Sequence, residues 1–368
     1  MTDAVVVGGG IAGTATAYHL QTAGIETVLV DRADAGRATR AGAGIISPPT
    51  SSRTDIDPWY AFASDAVAYF PTLNDALTTA GVAETSYRRQ GMLSIAVDDA
   101  GVAGFEATID RIEARDVDGI EEIDPDEAVA RCPAIERPVR ALYHADAARL
   151  EGTTYADALV TAARRAGLEV RSGDVSSLHW DGDRITGVEL AAGDSIAAAD
   201  VVIAGGAWSS AFEADLPIDV PVTPLRGQIV HLEHDAETAD WPIVSGVGHY
   251  YIVPWPDGRL VCGATREEAG HDPRVTVDGL RAVLAGTTTM APGLADATVA
   301  ELRVGLRPAS PDGLPILGPV ADVDGVHLAT GFGPTGLTLG PYSGKLIADG
   351  IVAGASAVPA AVDCNRFG

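Results

Sequence analysis

The start of the chain alternates between apolar runs and a helical pattern, in an order that predicts a strand, a helix and a second strand. Residues 4–7 form a short run rich in β-branched side chains, of the kind that a parallel sheet buries on both faces. A helical pattern covers residues 11–23, and Gly24 closes it as a C-terminal cap. Residues 28–30 form the second apolar run, which ends on Asp31. This order indicates the beginning of a parallel α/β sheet.

A glycine-rich turn joins the first predicted strand to the helix. Gly8, Gly10 and Gly13 have the spacing of a dinucleotide-binding turn, in which they allow a tight turn, a close approach to a pyrophosphate and close helix packing. The positive end of the helix then faces the phosphates. Asp31 lies 18 positions after Gly13, where a carboxylate can accept both ribose hydroxyls. These features together predict a bound dinucleotide, and the alternative is an ordinary glycine-rich turn.

The rest of the chain predicts more of this unit and a second domain. Residues 37–47 are mostly small, and their apolar positions follow neither the helical nor the strand period. This pattern suggests a loop whose backbone lies against a flat ligand. Four apolar runs in the second half predict an antiparallel sheet, which does not belong inside a parallel nucleotide domain. The other predicted elements are helices at 57–77 (opened by Asp57 and Pro58), 153–167 (capped by Thr153) and 337–352, an acidic helical stretch at 98–139, hairpin turns at 181–183, 192–194 and 256–258, a glycine turn at 331–336, and strands at 90–97, 168–170, 200–203, 224–231, 250–253, 260–264, 299–306 and 326–330.

Size and charge narrow the class of protein. A chain of 368 residues is long enough for two domains. It carries 51 acidic against 25 basic residues, a formal net charge of −26, and Lys345 is its only lysine. We expect a protein adapted to high salt, because such self-repulsion loosens a compact state in dilute salt; the alternative is an acidic mesophilic protein. No basic patch is present to neutralise nucleic-acid phosphates, so nucleic acid is excluded as a partner.

The cysteines and the apolar runs suggest a reduced compartment. Cys132, Cys262 and Cys364 form no CxxC pair and no metal-ligand spacing. No signal peptide precedes the first strand, and no apolar run reaches the roughly 18 residues of a membrane span. We therefore expect a cytoplasmic protein without a metal site, and peripheral contact with a membrane stays open.

Several motifs occur in the order of a known family and cover essentially the whole chain. They are residues 8–13 with Asp31, residues 43–45, 226–228, 251–254, 263–265 and 305–308, Asp312-Gly313 with Pro315, and the closing turn at 331–336. With these motifs the chain resembles the FAD-dependent amine oxidoreductases of the D-amino acid oxidase superfamily, in particular glycine oxidase and the related D-amino acid dehydrogenases.

The resemblance implies an α/β (α+β two-domain) fold. A discontinuous, Rossmann-like FAD-binding domain (1–85, 140–215 and 305–368) would face a smaller substrate domain (86–139 and 216–304) with a mixed, largely antiparallel sheet. Covalent relatives carry a cysteine near the position of Gly305, and this chain has none there, so we expect non-covalent FAD. The implied FAD-binding residues are Gly8, Gly10, Ile11, Ala12, Gly13, Asp31, Arg32, Ala38, Thr39, Ala43, Gly44, Ile45, Val175, Gly205, Phe332, Gly333, Pro334, Thr335, Gly336, Leu337 and Thr338.

The resemblance also implies the substrate-binding residues. Arg307 matches the arginine that binds the substrate carboxylate, and a guanidinium fork suits a carboxylate. Tyr251 matches a substrate-contacting tyrosine on a strand, so that Tyr250 would point to the other face. The chain differs from glycine oxidase at two positions of the site. Glycine oxidase has an apolar side chain where this chain has Arg266, and it has an arginine where this chain has Pro334. Arg266 either binds a second anionic group of a substrate or pairs with Glu267, Glu268 or Asp272.

The expected reaction is oxidative deamination of a small amino acid (a D-amino acid, glycine or N-methylglycine). A hydride passes from Cα to flavin N5, and hydrolysis gives a 2-oxo acid and ammonia. The alternatives are a 2-hydroxy acid or glycerol-phosphate dehydrogenase on the same fold, and a flavin-bearing subunit of a larger dehydrogenase. Oxygen, a quinone or an electron carrier would be the acceptor, and a homo-oligomer is left open.

Overall fold

Two eight-stranded sheets and a three-stranded sheet organise the protein in the computed structural model, which describes residues 2–51, 53, 57–115, 117–246 and 248–368. The helices are α1 (Ile11–Thr22), α2 (Ala38–Ala41), α3 (Asp57–Thr79), α4 (Asp99–Glu113), α5 (Pro125–Arg131), α6 (Gly152–Arg165), α7 (Val277–Met290) and α8 (Gly336–Ala353). The strands are β1 (Thr2–Val7), β2 (Thr27–Asp31), β3 (Ile45–Ile46), β4 (Arg88–Arg89), β5 (Met92–Ala96), β6 (Ile120–Ile123), β7 (Arg140–His144), β8 (Ala148–Arg149), β9 (Glu169–Ser172), β10 (Val175–Asp181), β11 (Arg184–Leu190), β12 (Ser195–Ile203), β13 (Thr223–Glu233), β14 (Ile243–Ser245), β15 (Tyr251–Pro254), β16 (Arg259–Gly263), β17 (Thr298–Ala309), β18 (Ile316–Pro319) and β19 (Val326–Thr330).

The first sheet contains the predicted nucleotide unit. Its parallel strands lie in the order β9-β2-β1-β12-β19. Two antiparallel hairpin connections add β10 and β11 beside β12, and β18 pairs antiparallel with β19. The strand–helix–strand order β1-α1-β2 and the hairpins predicted at 181–183 and 192–194 are therefore confirmed. The carboxyl ends of the parallel strands meet at one edge, where α/β sheets bind their ligands.

Helices α1, α3, α6 and α8 cover one face of this sheet. The apolar positions of the helical pattern along α3 are at most 3% exposed, and they are Trp59, Phe62, Ala66, Phe70, Leu73 and Leu77. Small residues let α1 and α8 approach closely, since a side chain at Gly344 would lie 2.6 Å from the Thr16 nitrogen. The opposite face packs against the β10–β11 hairpin through residues such as Val188.

The second sheet has the order β17-β13-β16-β15-β14-β5-β7-β6. All its pairs are antiparallel except β14 with β5, so the predicted mixed, largely antiparallel sheet is confirmed. Side chains alternate between two cores: Val230 and Ile252 face α7, while Ile229 and Val253 face the opposite side. A third, small sheet pairs β8 with both β3 and β4.

Several local predictions were wrong in detail. The loop expected at 37–47 contains α2 and β3. Helix α6 begins at Gly152, and its N-cap is Glu151 rather than Thr153: the Glu151 carboxylate accepts a hydrogen bond from the Thr154 nitrogen at 2.7 Å. The acidic stretch at 98–139 also holds strand β6, which pairs with β7.

The proposed domain boundary at residue 140 falls at the start of β7. This strand pairs with β5 in the second sheet, and the division of the chain into two domains stays a prediction. In the ranges that the structure describes, no helix is long and apolar enough to cross a membrane. The same residues contain no group of three or more side chains suited to hold a metal ion.

Candidate active site

A cavity extends from the carboxyl edge of the first sheet to the facing side of the second. It is lined by most of the residues that the sequence analysis selected, namely Gly8, Gly10, Ile11, Ala12, Asp31, Arg32, Ala38, Thr39, Ala43, Gly44, Ile45, Val175, Gly205, Tyr251, Arg266, Arg307, Phe332, Gly333, Pro334, Gly336, Leu337 and Thr338. Gly13 and Thr335 do not line it. The Thr335 hydroxyl instead accepts a hydrogen bond from the Trp59 indole at 3.4 Å.

The turn between β1 and α1 depends on two glycines. Gly8 has a φ of +112°, and a side chain there would collide with the Ala204 carbonyl. A side chain at Gly13 would collide with the Gly8 carbonyl, so Gly13 allows α1 to pack against the turn. The amide end of α1 consequently opens into the cavity. The Ile11 nitrogen there donates to the Thr39 hydroxyl at 2.9 Å.

Asp31 ends β2 beside this turn. One carboxylate oxygen accepts a hydrogen bond from the Gly9 nitrogen at 2.5 Å, and the other accepts from the Ala33 nitrogen at 2.7 Å. The Arg37 guanidinium lies 3.1 Å from the second oxygen. These contacts fix the carboxylate at the position where a ribose is expected, and each carboxylate oxygen can accept a further bond.

Beyond Asp31, the cavity ends between Arg32, Val175 and Trp208. The Arg32 guanidinium pairs with Asp174 at 2.9 Å and lies 5.6 Å from the centre of the Trp208 ring. An apolar, partly aromatic slot with a paired cation at its rim suits a flat heterocycle such as adenine.

Helix α8 directs its N-terminus at the middle of the cavity. Gly336 and Leu337 line the cavity at the first turn of this 18-residue helix. The Thr338 hydroxyl donates to the Ile45 carbonyl at 3.4 Å, which joins the helix to β3. A positive helix end at this position stabilises negative charge on a ligand ring.

Arg307, on β17, occupies the other end of the cavity. Its Nη1 donates to the Thr265 carbonyl at 3.0 Å, and it forms no ion pair with any residue that the structure describes. The absence of a side chain at Gly227, on the neighbouring strand β13, leaves room for the guanidinium. Burial lowers the pKa of Arg307; the Tyr251 hydroxyl opposes this effect, while the charge of Arg266 adds to it.

A hydrogen-bonded network supports the segment that carries the Thr265 carbonyl. The Glu267 carboxylate accepts from Arg226, from the Gln228 amide at 2.7 Å and from the Thr265 hydroxyl. Burial alone would raise the pKa of Glu267, but the bonds from Thr265, Arg226 and Gln228 lower it. The network holds Glu267 ionised and keeps the Thr265 carbonyl directed at Arg307.

Tyr251 and Tyr250 point to opposite faces, as predicted. Tyr251 lines the cavity, and the absence of a side chain at Gly263 leaves space for its hydroxyl. The Tyr250 ring covers Gly286 on α7, on the other side of the sheet. Burial raises the pKa of Tyr251 to about 12, and Arg307 works against this rise. The hydroxyl therefore remains a neutral hydrogen-bond donor at physiological pH.

Arg266 is exposed at the same end of the cavity. It forms no ion pair or hydrogen bond with Glu267, Glu268 or Asp272, all of which the structure describes, because Arg226 pairs with Glu267 and with Asp272 at 3.2 Å. The ion pairs of Arg266 with Glu267, Glu268 or Asp272 that the alternative requires are not formed in this structure. The Arg266 guanidinium forms no ion pair with any residue in the described ranges and lies at the Arg307 end of the cavity.

The sequence analysis did not select several residues that line the cavity, and four of them bear on its chemistry. Arg37, Trp208 and His249 line the cavity, and Gly227 makes room for Arg307. Burial and the charges of Arg266 and Arg307 lower the pKa of His249. The position of Trp208 directly after the Gly205 turn is the one signal that could have identified it. None of the three cysteines of the chain lines the cavity.

Three features of the site together define a class of protein, a two-domain flavin oxidoreductase. They are the dinucleotide-type turn, the acid at the end of the second strand and the second sheet, which bears arginines. FAD fits these residues, because two helix N-termini and the Gly8 turn open on one cavity that continues to the second sheet.

Comparison with known proteins agrees with this class. The chain matches the family described as FAD dependent oxidoreductase (DAO) over residues 3–350. A glycine oxidase of Pseudomonas aeruginosa is 33% identical over 355 residues, which cover 94% of this chain and 93% of that protein. The uncharacterized oxidoreductase YurR of Bacillus subtilis is 36% identical over 353 residues, covering 95% and 94%. The crystal structure of iminodiacetate oxidase from Chelativorans sp. BNC1 superposes with a TM-score of 0.91 at 35% identity, covering 99% of this chain and 98% of that one.

The chain therefore belongs to the DAO family of FAD-dependent oxidoreductases, and FAD is its cofactor. The fold and the family that the sequence motifs implied are confirmed.

Proposed function

We propose that this enzyme oxidises the C–N bond of a small amino acid that carries a second anionic group. One observation carries the proposal. Arg307 and Arg266 both open into one end of the cavity, and neither is ion-paired within the described part of the chain, although the protein has twice as many acidic as basic residues. Two unpaired guanidinium groups in one site suit a substrate with two carboxylates.

The iminodiacetate oxidase of Chelativorans supports this substrate class. Iminodiacetate is a secondary amine with a carboxylate on each arm, so one carboxylate can reach Arg307 while the other reaches Arg266. Glycine and N-methylglycine have a single carboxylate and would leave Arg266 without a partner. We therefore infer that an N-carboxymethyl amino acid or another acidic amino acid is preferred over glycine.

The residues of the cavity position the substrate for this chemistry. Arg307 holds the first carboxylate, and the Tyr251 hydroxyl, neutral because its pKa is about 12, donates a second bond to it. Arg266 binds the second carboxylate and fixes the rotation of the molecule about the amine. FAD, when bound, supplies the acceptor for the hydride that leaves Cα. Water then adds to the C=N bond of the product, and iminodiacetate would give glyoxylate and glycine.

The test is anaerobic reduction of the bound flavin in molar salt by iminodiacetate, D-aspartate, N-methylglycine and glycine, each at several concentrations. We expect the dianionic substrates to bleach the flavin with apparent Kd values at least tenfold lower than those of the others, about 1.4 kcal/mol for one added charge-assisted contact. Equal apparent Kd values would refute the role of Arg266. Bleaching by 2-hydroxy acids alone would instead assign the enzyme to hydroxy-acid oxidation.

For the second half-reaction we propose oxygen as the acceptor. The names of the glycine oxidase and iminodiacetate oxidase relatives support this choice. Stopped-flow mixing of the reduced enzyme with air-saturated buffer should restore the flavin absorbance within seconds. Reoxidation that requires a quinone or a carrier protein would identify a dehydrogenase.

A further inference from the structure

Arg149, on β8, is a buried cation without a counter-ion. Arg149 is 2% exposed, and its guanidinium forms no ion pair or hydrogen bond with the residues that the structure describes. Its Nε is fully buried and has no acceptor. Because an uncompensated charge is costly to bury, a folded protein is expected to place an acceptor at such a group.

Two guanidinium groups lie close to the Trp255 ring. The central carbon of Arg149 is 3.8 Å from the ring centre, and that of Arg259 is 4.6 Å away. A ring face attracts a cation, but it does not supply the oxygen or nitrogen acceptor that the Arg149 Nε–H lacks. The indole Nε1 of Trp255 is itself buried and has no hydrogen-bond partner in the part of the chain that the structure describes. Both orphaned groups are donors only, so the missing partner is an acceptor.

The charges around Arg149 point to an anion rather than a water molecule. Burial has the largest effect in lowering the pKa of Arg149 to about 10, and Arg88 and Arg259 lower it further. Asp257 and Glu84 act in the opposite direction, yet neither forms an ion pair with Arg149; Asp257 lies 3.7 Å from Arg259 instead. An anion satisfies the donors and the charge together, whereas water leaves the charge uncompensated.

We propose that Arg149 and Trp255, with the Arg259 guanidinium near the same ring, bind a small monovalent anion of the size of chloride. Trp255 is 7% exposed and Arg149 is 2% exposed, so both donors lie below the surface, which favours a small anion. The anion connects β8 of the small sheet to the segment that follows β15 of the second sheet. The bound anion therefore joins the small sheet to the second sheet next to the cavity. It makes the stability of the folded protein depend on halide concentration, in addition to the general effect of ionic strength.

Diffraction tests the site directly. Crystals of the holoenzyme grown in sodium bromide should show an anomalous peak within hydrogen-bond distance of Arg149 Nε and Trp255 Nε1. The peak should disappear in crystals of Trp255→Phe or weaken strongly, because this variant keeps an aromatic side chain and removes the indole N–H. A water molecule, or no density, at this position in bromide would overturn the proposal.

Thermal unfolding in solution tests the same site independently. The Tm of the holoenzyme should rise with chloride above its value in sodium gluconate of equal ionic strength. Trp255→Phe should raise the half-saturating chloride concentration at least tenfold, the value of one lost charge-assisted hydrogen bond. Arg149→Met should abolish the halide effect. If Arg149→Met does not fold, Trp255→Phe and the diffraction experiment decide.

The matched control is Arg140→Met. Arg140 also lies over an aromatic ring, that of Phe105 at 4.7 Å, but it pairs with Glu122 at 2.7 Å. This variant should keep the chloride dependence of the wild type. An identical chloride dependence in Trp255→Phe, Arg149→Met and Arg140→Met would overturn the proposal.

Discussion

Replacing Gly227 by alanine should displace Arg307 without unfolding the protein. A Cβ at this position would lie 2.5 Å from Cζ of Arg307, whereas ordinary contacts begin at 3.4 Å. The guanidinium must therefore move by about 1 Å, and a displacement of that size at a reacting substrate costs about 10²-fold in rate, or about 2.7 kcal/mol. The backbone at Gly227 does not adopt a positive φ, so alanine introduces no backbone strain.

The assay is steady-state kinetics with iminodiacetate, together with thermal unfolding. We expect kcat/KM to fall about 100-fold, while Tm stays equal or rises slightly because alanine suits a strand better than glycine. Gly104→Ala, on α4, is the matched control, since a side chain there meets no atom within 4 Å. A kcat/KM for Gly227→Ala within threefold of the wild type would show that the position of Arg307 does not control the reaction.

Three further variants test other parts of the account. Asp31→Asn should weaken FAD binding by about 10- to 100-fold, measured by flavin fluorescence, because a charge-assisted bond to the ribose is lost. Tyr251→Phe should raise KM about tenfold with little change in kcat, and the pH profile below pH 10 should be unchanged, because the pKa of Tyr251 is about 12. Burial and the charges of Arg303 and Arg259 lower the pKa of His231 to about 4. The unfolded chain, with an ordinary histidine pKa near 6.5, binds more protons between these values, so the free energy of unfolding should decrease by about 3 kcal/mol as pH falls from 6.5 to 4. His231→Leu should flatten that part of the pH dependence in denaturant titrations, and an unchanged slope would refute the assignment.

The nucleotide unit could be predicted because its signals are local. The apolar run of β1, the glycine turn and Asp31 are close in sequence, and each has a single physical explanation. The α6 cap was mispredicted because threonine is the commoner cap, while here the longer Glu151 side chain reaches the Thr154 nitrogen. Strand β6 was missed because two exposed acids interrupt its short apolar pattern. The salt adaptation that the acidic composition suggests stays a prediction.

The substrate end of the cavity depends on pairings between distant segments. From sequence, Glu267 and Asp272 could have paired with either Arg226 or Arg266. The register of β13 brings Arg226 opposite Glu267, and this pairing leaves Arg266 free. The role of Gly227 was invisible for the same reason, because its neighbour Arg307 lies 80 positions away on β17. The register between two strands that are distant in sequence cannot be predicted from the period of apolar residues within either strand.

The most direct test of the central claim compares Arg307→Met and Arg266→Met by anaerobic stopped-flow reduction of the flavin. Each variant is mixed with iminodiacetate and with N-methylglycine, which differ in the second carboxylate. We predict that Arg307→Met lowers the second-order rate of reduction about 100-fold or more for both substrates, and that Arg266→Met lowers it at least tenfold for iminodiacetate alone. Equal losses for both substrates in Arg266→Met, or no loss in Arg307→Met, would contradict the account.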